Sequence, residues 1–250
     1  MKTTGNTILI TGGATGIGLA LVRSFLEAGN EVIICGRKKE RLAEAKSALP
    51  QLTAMVCDVA DEEARRGLAE KVRSGHPKLN ILINNAGVQR PIDFRQGPGP
   101  LLKGESEIDI NLKGPVYLSA HFIPLLSRQK EAAIVNVSSG LGFAPIAFMP
   151  VYCATKAAVH SFTMSLRHQL KDTSIKVFEL IPPRVDTDLG MQERQDRGSM
   201  AGAMSAEELA AEFMQGFAKD VYEIAAGQAK NLVLGSRKDP DVLFRSMNAH

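Results

Sequence analysis

Little in this chain points to a membrane, a nucleic acid or an oxidising compartment. No apolar run approaches the roughly 20 residues that a membrane helix requires. Residues 1–6 are short and polar, without the extended apolar region of a secretory leader. Excess charge is scarce: 30 Lys and Arg stand against 27 Asp and Glu, a formal net of +3, which does not suggest a nucleic-acid surface. Only three cysteines occur, Cys35, Cys57 and Cys153, widely spaced and in apolar surroundings. That usage suits reduced thiols better than a disulfide framework or a zinc site, and a cytoplasmic location is the expectation.

What is present is 250 residues, 44% of them hydrophobic, enough for one large α/β domain around a continuous core. Strand-like and helix-like segments alternate from the start. Strands are predicted over 7–11, 31–35, 53–57, 81–84, 133–138 and 176–181, and helices over 16–27, 39–49, 62–72, 111–128, 152–171 and 206–219. The strands are apolar on both faces, as a parallel sheet covered by helices on each side requires, so the predicted architecture is a three-layer, doubly wound Rossmann-type sheet. Residues 89–104, rich in Gly and Pro, and 190–205, polar with Gly and Met, break the rhythm and are predicted as loops. Each follows a strand at its carboxyl end, where such sheets bind ligands, so they are candidates both for a substrate cover and for ordinary connections.

The first strand leads into Thr11-Gly12-Gly13-Ala14-Thr15-Gly16-Ile17-Gly18 and then a helix. Glycines there let the backbone turn tightly and approach a pyrophosphate, whose charge faces the helix amides; Gly12, Thr15, Gly16, Ile17 and Gly18 are the candidate contacts. The second strand ends in Cys35-Gly36-Arg37-Lys38, where an acid would accept hydrogen bonds from an unphosphorylated ribose. No acid is there. Arg37 offers a planar fork matching a 2′-phosphate and Lys38 adds a charge, which favours NADP(H) over NAD(H); the alternative is a solvated basic turn at a helix start.

Tyr152 and Lys156, four apart at the start of a predicted helix, share one face. A neighbouring ammonium favours phenolate and makes a tyrosine a usable proton donor and acceptor. Upstream, the fifth strand ends in Asn136-Val137-Ser138-Ser139-Gly140, and Asn84-Asn85-Ala86-Gly87 follows the fourth. With the glycine turn, these motifs resemble the short-chain dehydrogenase/reductase family in its compact form, in the same order, over residues 7–187. Residues 30–37 and 85–90 are similar to its bacterial DltE-like subgroup.

The resemblance implies an NADP(H)-dependent oxidoreductase acting on a carbonyl or alcohol. Tyr152 would be the acid/base, Ser139 would hydrogen-bond the substrate oxygen, and Lys156 would lower the tyrosine pKa while binding nicotinamide ribose. Asn111 matches the asparagine of a proton relay, although it also suits a helix cap. Asp58, with Val59, matches the residues beside the adenine, although an Asp there also suits a turn. Asn85, Ala86 and Gly87 would support the cofactor. In Pro182-Pro183-Arg184-Val185-Asp186-Thr187, similar to the family's Pro-Gly-x-Val-x-Thr, Val185 and Thr187 would face the nicotinamide, with Pro183 replacing the usual glycine. Residues 231–235 lack the Asp-Gly-Gly usual for the last strand, so that strand is expected to be altered or absent.

The helices 111–128 and 152–171 correspond to those that pair across subunits in the family and carry Leu118, Phe122, Ala157 and Phe162, so a homodimer or homotetramer is implied; packing on the sheet explains the same pattern. His121, His160 and His168 are read as surface or packing residues, with no metal-ligand partner at suitable spacing. The apolar run 141–149 points to a hydrophobic carbonyl substrate without naming it. A sensor or scaffold that binds NADP without chemistry is the alternative function, and a nucleotide-sugar epimerase ranks behind it for want of a long C-terminal domain.

Overall fold

Strands that are apolar on both sides bury both sides here, apart from the edge strand Thr53–Val56, which is half-buried and ends in an exposed Val56. In the computed structural model, which describes residues 1–187, 189 and 202–249, seven strands form one parallel sheet. They are β1 (Thr7–Thr11), β2 (Glu31–Gly36), β3 (Thr53–Val56), β4 (Ile81–Asn84), β5 (Ala132–Val137), β6 (Ile175–Ile181) and β7 (Glu223–Ala225), in the order β3-β2-β1-β4-β5-β6-β7. The helices are α1 (Gly16–Glu27), α2 (Lys39–Ala48), α3 (Glu62–Gly75), a single turn α4 (Gly99–Leu102), α5 (Gly114–Leu126), α6 (Pro150–Gln169), α7 (Ala206–Ala218), α8 (Ala229–Lys238) and α9 (Pro240–Met247).

Alternation along each strand divides the core in two. Ile8 and Ile10 of β1 pack with Phe25 of α1, Leu42 of α2 and Phe213 and Phe217 of α7. Leu9, between them, faces Leu68 and Val72 of α3, Phe122 of α5 and Leu166 of α6. The result is the expected three-layer, doubly wound sheet. Because β1 is flanked by β2 on one side and β4 on the other, the strand order reverses beside it and a crevice opens beyond the carboxyl ends of β1 and β4.

Departures from the sequence reading have local causes. Helix α6 begins two residues early because Pro150 occupies its first turn, where a missing amide costs nothing. The helix expected from residue 111 opens instead with a wide π turn, Asp109–Lys113, before α5. Residues 89–104 contain two short helical pieces, Phe94–Gln96 and Gly99–Leu102. The last strand is present, but earlier than expected: Glu223–Ala225 pairs with β6, and residues 231–235 lie in α8. A three-residue strand with one buried apolar residue leaves no periodic signal. Leu118 and Phe122 bury against the sheet, whereas Ala157 is exposed. Most of 190–205 falls outside the described residues.

Candidate active site

Thr11 ends β1 and hands the chain to a turn in which Gly12 and Gly16 have φ of +65° and +52°, a region that disfavours side chains. A side chain at Gly18 would bring its first carbon within 2.3 Å of the Gly12 carbonyl oxygen. Thr15 flanks α1 without capping it, and no acidic residue stands in the first turn of the helix, so its positive end is not offset from within the helix. Directly after β4, Asn85 Nδ2 donates to the carbonyls of Thr11 (2.9 Å) and Gly12 (3.2 Å). The amides of Asn85 and Ala86 donate to Thr11 Oγ1 at 3.0 and 2.9 Å. A glycine turn held rigid by Asn85 and Thr11 at a helix N-terminus is the setting in which backbone amides meet a pyrophosphate.

Tyr152 and Lys156 are buried one turn apart on α6. Lys156 Nζ lies 5.7 Å from the centre of the Tyr152 ring and donates to the Val137 carbonyl at 2.8 Å, at the end of β5. Burial pushes the Lys156 ammonium down to about 8, with the carboxylate of Glu179 pulling the other way. Two residues beyond Val137, Ser139 Oγ accepts from the Leu141 amide (3.1 Å) and caps a 3₁₀ turn, Gly140–Gly142. That turn lies directly on α6: a side chain at Gly142 would come within 2.9 Å of the Lys156 carbonyl carbon. Strand end and helix thus set the turn capped by Ser139 against the helix that carries Tyr152 and Lys156.

Asn111 is not a helix cap. From within the π turn its Oδ1 accepts from the Val88 amide (2.9 Å), and its Nδ2 donates to the Val88 carbonyl (2.8 Å) and to Thr155 Oγ1 (3.1 Å). Thr155 in turn donates to the Tyr152 carbonyl at 2.8 Å. One buried amide therefore ties the turn after β4 to the helix carrying the tyrosine. Gly87 fits between: its missing Cβ would lie 3.3 Å from Asn111 Oδ1 and 3.6 Å from Lys156 Nζ.

At the other end of the crevice, Arg37 follows β2 and its Nη2 pairs with Glu105 Oε1 at 2.7 Å. Lys38, exposed, precedes α2. Asp58 forms a turn, its Oδ1 accepting from the Ala60 amide at 2.9 Å. The Val59 side chain is buried against Gly114 and its carbonyl accepts from Arg65 Nη1 at 2.7 Å.

Residues 6–198 match the sequence pattern of the short chain dehydrogenases. This protein belongs to that family. The chain is an oxidoreductase of the family and is 50% identical, over 99% of its length and 98% of the relative's, to a Bacillus subtilis protein described as uncharacterized oxidoreductase DltE. A Haemophilus influenzae protein described as a probable NADP-dependent dehydrogenase is 35% identical over 73% of this chain and 71% of that one. In structure, the chain resembles a short chain dehydrogenase/reductase from Burkholderia phymatum in complex with NAD (TM-score 0.87, 21% identity, 100% and 98% of the two chains). It also resembles a short-chain dehydrogenase from Sphingobium yanoikuyae in complex with NADPH (TM-score 0.81, 26% identity, 94% of each).

In this short chain dehydrogenase the segment after β6 is held by a bridge between Val185 and Met204. The Val185 side chain is buried in the core, so only its backbone can face the crevice. Thr187 closes over the glycine turn, its Cβ 3.1 Å from where a side chain at Gly16 would start. The Pro182 carbonyl accepts from the Gly140 amide at 2.9 Å, linking this segment to the Ser139 turn.

Sequence reasoning missed Thr155, although it lies between Tyr152 and Lys156, and Glu105 and Glu179, whose partners are distant in sequence. It also left His160 without a partner. His160 Nδ1 lies 2.8 Å from Glu179 Oε2, which raises the imidazole pKa, and Glu223 completes a group whose ligand atoms lie within 4.8 Å of one another. Arg237 pairs with Glu223 at 2.6 Å, so the group is an ion network between α6, β6, β7 and α8. Among the described residues, no helix is long and apolar enough to cross a membrane.

Proposed function

We propose that this oxidoreductase moves a hydride between NADP(H) and a carbonyl or alcohol carbon, with Tyr152 as acid and base. What carries this reading is the buried Lys156, fixed on the Val137 carbonyl beside the Tyr152 ring and against the Ser139 turn. The coenzyme, when bound, supplies or accepts the hydride. Tyr152 protonates the substrate oxygen during reduction and takes the proton back during oxidation. Lys156, as ammonium, stabilises the phenolate and is placed to meet ribose hydroxyls. Ser139 holds the same substrate oxygen, and Asn111 keeps the helix and the turn after β4 in register for it. Fixed donors at an oxygen that gains charge lower the barrier, at about 3–4 kcal/mol for one lost donor.

Coenzyme choice follows from Arg37 and Lys38, which come directly after β2 with no acid beside them and would meet the adenosine 2′-phosphate, Arg37 with its guanidinium fork; the name of the Haemophilus relative agrees. Asp58 and Val59 border the adenine in this reading, and Thr187 and the Val185 backbone the nicotinamide. Leu141 and Ile146 pack against the cluster of Met149, Tyr152 and Cys153, supporting an apolar carbonyl substrate. Tyr117 of α5 and Met164 of α6, both exposed and apolar, support self-association through these helices.

Following NADPH absorbance across a panel of ketones and aldehydes tests the activity. Tyr152→Phe is expected to lower turnover by about a thousandfold while NADPH binding by calorimetry stays within twofold. Unchanged turnover would assign the proton to another group.

A further inference from the structure

Arg37 and Glu105 are far apart in sequence, yet their Nη2–Oε1 separation is 2.7 Å, a charge-assisted bond at the rim of the crevice. Their side chains are 34% and 45% exposed, so an incoming ligand can reach both.

Glu105 is presented by an anchored stretch. The Arg90 guanidinium donates to the Pro100 carbonyl (3.3 Å) and to that of Lys103, and the Arg90 amide donates to Glu107 Oε1 at 3.0 Å. Gly104, between these anchors, turns with φ of +75°. Much of the entropy normally lost in holding an exposed ion pair is already lost here.

The basic run that starts α2 is not covered evenly. Arg41 pairs with Glu44 on its own helix at 3.1 Å, and among the described residues Lys38 and Lys39 have no ion pair. Arg37 is the one covered across the fold, and it is the residue to which the proposed function gives the adenosine 2′-phosphate. A carboxylate and a phosphate present similar acceptor geometry to a guanidinium.

Resting on that reading of Arg37, we propose that Glu105 competes with the coenzyme's 2′-phosphate for the Arg37 guanidinium and thereby sets how strongly NADPH is favoured over NADH. The phosphate must displace the carboxylate and then sit beside it, like charge against like charge. An unphosphorylated ribose asks for neither, so the penalty falls on NADPH alone.

Calorimetric titration of NADPH and NADH into the wild type, Glu105→Gln, Arg37→Ala and the double variant tests this. Glu105→Gln is expected to tighten NADPH about threefold or more, to leave NADH within twofold, and to lose its effect in the Arg37→Ala background. The gain should shrink as salt screens the exposed charges. If Arg37→Ala weakens NADPH but Glu105→Gln leaves it unchanged, weakens it, or tightens both coenzymes alike, the competition is refuted while the phosphate role of Arg37 stands. If Arg37→Ala leaves NADPH binding untouched, that role fails and the competition with it.

Discussion

Lys156 shows how much one side chain owes to its surroundings. Its ammonium, fully enclosed, titrates near 8 instead of 10.5 because desolvation outweighs the attraction of Glu179. Above that pH the amine is neutral, the Tyr152 phenol becomes a weaker acid, and carbonyl reduction should decline; a kcat/KM profile with no falling limb near 8 would contradict this. The linkage to stability runs in the opposite direction. A folded-state pKa below the unfolded one means that the buried charge opposes folding fully below 8, and the opposition is relieved as pH rises from 8 toward 10.5. Gly18 is confined just as closely. Gly18→Ala must fit a carbon 2.3 Å from the Gly12 oxygen and 2.6 Å from Asn85 Nδ2. It should cost about 1–3 kcal/mol and abolish the NADPH-induced rise in melting temperature, both read by thermal denaturation.

Separate segments are tied to the crevice by a few hydrogen-bonding side chains. The π turn before α5 has one structural consequence: it places Asn111 where three hydrogen bonds join the turn after β4 to α6. Replacing Asn111 with Leu strands the half-buried Val88 amide and carbonyl, at a cost of about 1 kcal/mol or more; retention of both melting temperature and turnover would deny it this role. Helix α7 starts with a capping box, in which Ser205 Oγ accepts from the Glu208 amide (3.1 Å) and Glu208 Oε2 from the Ser205 amide (2.9 Å). Met204, next to it, bridges Val185 and so steadies the segment bearing Thr187. Ser205→Ala should remove about 1 kcal/mol, seen as a melting temperature lowered by about 2–4 °C.

For the whole molecule, the two core layers share β1 and cannot separate without it. Phe217 of α7 stacks at 5.2 Å on Phe213, meets Phe178 of β6 at 4.8 Å and Phe25 of α1 edge-on at 6.2 Å. Phe217→Ala should cost about 3–5 kcal/mol, roughly a 10 °C fall at this chain length, with unfolding still a single calorimetric transition. Two resolved transitions would show that the layers melt independently. Ligand linkage acts on the same transition: saturating NADPH should raise its midpoint, at 100 times the dissociation constant by about 2.7 kcal/mol of added stability.

Strand periodicity, the glycine turn and the Tyr152–Lys156 spacing are local patterns, and a doubly wound sheet has few ways to arrange them. From those patterns alone came the layers, six of the seven strands, the dinucleotide crevice and the pairing of phenol with ammonium on one helix face. Tertiary structure decided what depends on partners remote in the chain: Ser139's turn against α6, Asn111 bridging Val88 and Thr155, Glu105 on Arg37, Glu179 beneath His160, and Val185 turned into the core. It also decided β7, whose three residues become a strand only because β6 offers its free edge. Composition and spacing carry no information about such encounters, since each is fixed by where the folded sheet delivers two segments and not by either segment's own preference.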